Sequence, residues 1–211
     1  MPINLLFQDP LTFVIWLAAI LFGLTIHEFA HAWAAFNQGD LTAQSQGRLS
    51  LNPMAHIDWT GLILLILVGF GWGKPVPVNQ YNFKNQKWGN IWVSLAGIVF
   101  NIVSAIIFLI IARLLLSGGM AQDNLLISFL LFLIFINVAL AIFNLIPIPP
   151  LDGHHVLFEL LPSKYYHLKE WLAIKGPWLL LGLILIDNFT RINVFGFLFQ
   201  GVFKLIYLLL S

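Results

Sequence analysis

Chemistry is concentrated in one short stretch of the first apolar run, His27-Glu28-Phe29-Ala30-His31, which has the pattern H-E-x-x-H. On a helix, residues four apart lie about 40° apart around the axis and about 6 Å along it, so both imidazoles can grip one metal ion from the same face. Glu28 then stands beside the attacking water as a general base. An ionisable residue in mid-span costs on the order of 2.5–3.5 kcal/mol even on the lenient insertion scale. Three together need a compensating partner, and a divalent cation supplies one.

A catalytic zinc site usually takes three protein ligands and keeps a fourth position open. The third ligand must come from elsewhere in the chain. Asp9, Asp40 and Asp123 fall at the ends of apolar runs, where an acid is ordinary, and Asp58 and Asp187 read as interfacial. Asp152 differs. It follows Asn144-Leu-Ile-Pro-Ile-Pro-Pro-Leu, in which Pro147, Pro149 and Pro150 remove three backbone donors and must break a helix. Such a break in an apolar region is tolerated where it lines a cavity. Asp152 is therefore the best third ligand, the alternative being an interfacial acid at a helix end. His154 and His155 read as interfacial or supporting groups, since further ligands would close the open position. His56 and His167 have loop-like neighbours and are not expected to be ligands.

The elements that position these residues must be apolar. Of 211 residues, 60% are hydrophobic and only 9% are charged, against roughly 25% charged in an ordinary soluble domain. This excludes a soluble globular enzyme and a disordered chain, and makes a lipid bilayer the expected surroundings. A net charge of +1 without a basic cluster argues against nucleic acid as a partner. Cysteine is absent, so no disulfide framework is expected. Met1 to Pro10 carries one acid and no base, unlike a cleavable signal peptide, so the first apolar run is expected to stay.

A transmembrane helix needs about 20 apolar residues. Leu11 to Phe36, Ile91 to Leu116, Asn124 to Ile146 and Ile192 to Leu210 qualify, and Trp171 to Asp187 is a shorter fifth, interrupted by Gly176-Pro177. The run Trp59 to Gly73 would reach only about 22 Å as a helix. Its glycines, and the alternation Pro75-Val76-Pro77-Val78, favour extended chain. Residues 47–78 are thus expected to form a membrane-embedded, re-entrant loop of β character. The expected fold is an all-α polytopic membrane protein of about five transmembrane helices, with that loop between the first two. It forms a single domain over residues 1–211, with a catalytic core at about 11–162 and C-terminal helices at about 163–211.

The first-span motif, together with Asn144-x-x-Pro147-x-Pro149-x-Leu151-Asp152-Gly153, resembles the site-2 protease family of intramembrane zinc metalloproteases. Gly47-Arg48-Leu49-Ser50-Leu51-Asn52-Pro53, Gly73-Lys74-Pro75-Val76-Pro77-Val78 and Ser94-Leu95-Ala96-Gly97 match further family motifs, while Ile98 stands where the family often has proline. The likeness runs from about Thr25 to Gly153 and is to short members without PDZ or CBS domains. It implies one Zn2+ per chain on His27, His31 and Asp152, with Glu28 as base and transmembrane-helix proteins as substrates. It also implies that Asn144 holds the substrate backbone or oxyanion; the other reading of Asn144, an amide bonded to carbonyls freed by the helix break, has equal weight. The segment ending in Lys74 to Val78 could pair with an unwound substrate strand.

Two other functions fit parts of this pattern. A metal transporter also buries His and Asp, but it asks for a repeat between halves, which is not visible, and it gives Glu28 no required role. A non-catalytic scaffold could bind transmembrane helices and keep zinc for stability.

Topology follows from the site. His31 and Asp152 each lie near the C-terminal end of a span, and they can meet only if both ends face one side, which a re-entrant loop allows. Arg48, Lys74, Lys84, Lys87, Lys164, Lys169 and Lys175 then share that side, with Arg113 and Arg191 on the other and Lys204 inside the last span. The positive-inside rule makes the richer side cytoplasmic. The expectation is an N-terminus outside, a C-terminus inside, and a site toward the cytoplasm of a bacterial plasma membrane, with a plastid membrane as the alternative.

Overall fold

The computed structural model describes residues 2–189 and 194–210. In chain order its helices are α1 (Pro2–Gln8), α2 (Pro10–Asn37), α3 (Thr42–Ser45), α4 (Trp59–Val68), α5 (Gln86–Ser117), α6 (Leu125–Leu145), α7 (Gly153–Leu160), α8 (Tyr166–Phe189) and α9 (Val194–Leu210). Starts are set by side-chain caps. Asp9 accepts from Thr12 N ahead of Pro10 at α2, and Asn85 and Asn124 accept from Trp88 N and Leu126 N at α5 and α6.

Among the described residues, α2, α5 and α6 are long and apolar enough to cross a membrane. Three of the five expected spans meet that measure; of the other two helices, α9 is shorter and α8 carries Lys169, Glu170, Lys175 and Asp187. The three long helices pack on one another. The α2 helix buries Gly23, Ala30, Ala34 and Ala35, small residues that let backbones approach closely. Ala19, Ala112, Leu130, Leu133, Ile134 and Ile206 form the main apolar core, drawing in α9. On α5, Val99, Ile102, Ile106 and Ile110 are exposed at helical spacing, an apolar stripe suited to lipid.

The loop between α2 and α5 corrects one expectation. Among the described residues no strand forms in it, and the run from Trp59 is helical as α4. Two end signals outweigh the glycines. Asp58 accepts from Gly61 N at 2.9 Å, and Gly69 closes the helix with φ 85°, a left-handed conformation that glycine adopts freely. At ten residues α4 is about 15 Å long, half of a bilayer core. Phe70 to Asn79 then runs without regular structure, and Lys74 N donates to His56 O at 2.9 Å. The excursion therefore returns to where it began, one limb helical and the other irregular.

The C-terminal part corrects another. Pro177 lies inside α8 without ending it, and Asp187 is on that helix and not in a turn; Arg191 and Ile192 lie outside the described residues. Leu180 and Ile184 of α8 pack with Leu151, Phe143 and Ile148, beside the C-terminal end of α6. From α9, Ile206 joins the main core, and Leu209 O accepts from Arg113 Nη1 at 2.6 Å. Arg113 is near the C-terminal end of α5, whereas the start of α5 adjoins the end of α2, where Lys84 Nζ donates to Asn37 O at 3.0 Å. The end of α9 thus lies at the same end of the bundle as the N-terminus of α2. This differs from the expected opposite placement of the two chain ends, because the last turn of α9 sits beside the end of α5.

Candidate active site

The α2 helix and the break after α6 bring three ligand atoms together. His27 Nε2 and His31 Nε2 are 3.0 Å apart, and Asp152 Oδ2 lies 2.9 Å from the first and 3.2 Å from the second. The helical spacing of four delivers the histidines to one face. Asp152 arrives because α6 ends at Leu145, the proline-rich stretch turns the chain, and Asp152 becomes the residue preceding α7.

The α5 helix forms the back of this cluster. His31 Nδ1 donates to Val93 O at 2.7 Å, which in the neutral ring turns the Nε2 lone pair toward the carboxylate. Gly97 makes that approach possible: a Cβ there would lie 2.5 Å from His27 Cε1 and 2.7 Å from His31 Nε2. Farther out, Asn90 Nδ2 donates to Glu159 Oε1 at 2.8 Å, tying α7 to α5. A lone pair and a carboxylate oxygen that face each other are an arrangement a shared metal cation satisfies. Tetrahedral ligands at about 2.0–2.1 Å from zinc stand about 3.3 Å apart, close to the separations here. The donor set and its spacing fit a metal ion.

Glu28 is half-buried on the same cavity of about 610 Å3, whose walls include both histidines, Asp152, Asn144, His155 and Val76. Its Oε2 accepts from Val76 N at 3.0 Å, so the irregular limb of the loop reaches the carboxylate directly. Arg48, which is buried, holds that limb by donating to Lys74 O and to Pro75 O. Asn144 Nδ2 donates to Leu140 O, one turn back on its own helix. His154 Nδ1 pairs with Leu151 O, and His56 Nε2 with Ser50 O. Neither belongs to the ligand cluster, and His167 lies on α8.

Sequence reasoning passed over Asn101 and Asn137. Both are fully buried, and Asn101 Oδ1 is 2.6 Å from His27 Nδ1. The available signal was cost: an amide in mid-span must find partners just as a charge must.

An H-E-x-x-H helix of membrane-crossing length, completed by an aspartate from a broken helix, defines the class of membrane metallopeptidases. Residues 113–171 match the family model described as Peptidase family M50. The chain is 42% identical over 147 residues to "Putative zinc metalloprotease YwhC" of Bacillus subtilis, an alignment covering 68% of this chain and 67% of that one. It is 33% identical to "Putative zinc metalloprotease Rip2" of Mycolicibacterium smegmatis, over 69% of this chain and 56% of the relative. It is 32% identical to "Putative zinc metalloprotease MJ0611" of Methanocaldococcus jannaschii, over 70% and 71%. The chain therefore belongs to peptidase family M50, the site-2 protease family. No solved structure gives a significant match.

Proposed function

We propose that this chain is an intramembrane zinc metallopeptidase that hydrolyses peptide bonds in or near transmembrane helices of protein substrates. The observation that carries this reading is the convergence of His27, His31 and Asp152 beside Glu28 on one cavity. In it His27, His31 and Asp152 hold one Zn2+, and residues 1–211 act as one catalytic domain. When bound, zinc supplies Lewis acidity at the scissile carbonyl and makes water acidic enough to attack near neutral pH.

The chain's own residues do the rest. A substrate helix hides its peptide bonds in i to i−4 hydrogen bonds and must unwind locally before attack. Glu28 takes the proton of the attacking water and returns it to the leaving amine. Val76 N–H orients the Glu28 carboxylate for that task. Asn144 spends one N–H on Leu140 O, which leaves its Oδ1 and second N–H for the unwound substrate backbone. Strand pairing along Lys74 to Val78 is restricted, since Pro75 and Pro77 have no N–H and Val76 uses its own on Glu28. The basic residues Lys74, Lys84 and Lys87 orient the site toward the cytoplasm of a bacterial plasma membrane.

Glu28→Gln tests the reading in purified, detergent-solubilised protein with a transmembrane-helix peptide as substrate. Zinc content should stay at one per chain while cleavage falls by about 10²–10⁴-fold. Undiminished turnover would remove Glu28 as base, and a wild-type chain that binds no zinc would end the metallopeptidase reading. A reporter fused after Lys87 should read as cytoplasmic; the opposite result overturns the orientation.

A further inference from the structure

Three long helices meet at a pair of buried amides. Asn101 is on α5 and Asn137 on α6, and neither has any exposed surface. Every polar atom of such a pair must be bonded within the protein, and the bonds fix which way each amide faces. Asn137 Nδ2 is 2.7 Å from Leu133 O, a carbonyl that can only accept. Its Oδ1 therefore faces the other way, where it accepts from Asn101 Nδ2 at 2.7 Å. Asn101 Nδ2 also donates to Gly23 O of α2 at 3.0 Å. Both of its N–H groups are then spent, and its Oδ1 is left 2.6 Å from His27 Nδ1.

An amide oxygen only accepts, so the proton between this pair belongs to His27 Nδ1. In the neutral, metal-binding ring Nε2 then carries the lone pair, aimed at His31 and Asp152. The direction of every bond in this chain follows from main-chain carbonyls, and it ends at the ligand atom.

Resting on the metallopeptidase reading, we propose that Asn101, backed by Asn137, is a positioning residue that selects the metal-binding tautomer of His27 and holds its ring in place. Removing Asn101 leaves Nδ1–H in a buried site without its acceptor, so the ring gains by turning or by moving its proton to Nε2. Either change takes the lone pair away from the metal. Removing Asn137 frees Asn101 Nδ2 and loosens the same amide one step farther out. Gly23 and Leu133 supply the anchoring carbonyls, so the packing of α2, α5 and α6 is read directly at the metal site.

The test uses the full chain in detergent, with zinc affinity measured by chelator competition and fold integrity by thermal unfolding of the zinc-free protein. Asn101→Ala should weaken zinc binding by about 10- to 100-fold, the range seen when such orienting partners are lost. Asn137→Leu, which suits a membrane helix better, should give a smaller loss in the same direction. Nitrogen NMR of 15N-histidine-labelled, zinc-free wild type, with His27 assigned through His27→Gln, should show a proton on Nδ1. A purely structural role would lower the unfolding temperature without moving zinc affinity in the protein that remains folded. Unchanged affinity in both variants overturns the proposal, as does an Nε2–H tautomer in the wild type. If neither variant folds, the wild-type tautomer decides alone. A wild-type chain that binds no zinc would instead refute the metallopeptidase reading on which this rests.

Discussion

His27 Nε2 lies 2.9 Å from Asp152 Oδ2, although the two residues are 125 positions apart in the chain. The contact closes a site whose other parts were set independently: two histidines by helical spacing, one carboxylate by a proline-driven break. Nothing local holds these parts together. The α5 helix does so, through Val93 O on His31 and through the tie from Asn90 to Glu159 on α7.

The position of α5 depends on a missing side chain. A Cβ at Gly97 would lie 2.5 Å from His27 Cε1 and 2.7 Å from His31 Nε2, and neither ring is free to move. Gly97→Ala is expected to cost about 1–3 kcal/mol of stability by overpacking and to weaken zinc binding at least tenfold. Zinc titration and thermal unfolding of the variant check this; wild-type affinity would show that α5 can retreat without disturbing the ligands.

The bond from Arg113 to Leu209 O sets the second expectation. It puts the end of α9 at the end of the bundle away from Lys84 and Lys87. A reporter fused after Leu210 should therefore read on the opposite side of the membrane from one fused after Lys87. The same side for both would mean that α8 and α9 cross separately.

What the sequence made legible follows from physical cost. His27, Glu28, His31 and Asp152 stand out because ionisable groups in apolar surroundings are expensive, and their spacing names the chemistry. Asn101 and Asn137 obey the same logic, but a neutral amide costs less and carries no motif, so the partner it serves appears only when helices are packed. Glycines in the run after Trp59 argue against a helix, but Asp58 and Gly69, ordinary start and stop signals, outweigh them in α4. The paths of α8 and α9 depend on which core each enters, and hydropathy is silent about that.

Asp40 shows how an acid at a helix end can be structural. It is fully buried just after α2, and its carboxylate accepts from Thr42 N, Asn79 N and Asn82 Nδ2. Burial raises its pKa, but the bonds from Thr42, Asn79 and Asn82 outweigh this and hold it below the usual carboxylate value. A lowered folded-state pKa gives stability that is complete above the unfolded value of about 3.9 and is lost as pH falls through the folded one. Asp40→Asn should cost about 1–3 kcal/mol at neutral pH, since an amide turns a donor toward donors. The gap between wild type and variant should narrow only below about pH 4. Thermal unfolding across that range measures it, and a pH-independent gap would deny the carboxylate its role.

Val76 offers the sharpest separation of base from metal. Its N–H reaches Glu28 Oε2 at 3.0 Å, between two prolines that already fix an extended backbone. Val76→Pro removes that one hydrogen while continuing the run of prolines, and it touches no metal ligand. Zinc affinity should stay at the wild-type level while kcat falls about tenfold, a fraction of the 10²–10⁴-fold that general base catalysis contributes. Val76→Ala keeps the N–H and should retain nearly full activity, which controls for the lost side chain. If both variants lose activity equally, the valine side chain matters and the hydrogen bond does not. If zinc affinity falls in Val76→Pro, the loop is holding the ligands as well as the base.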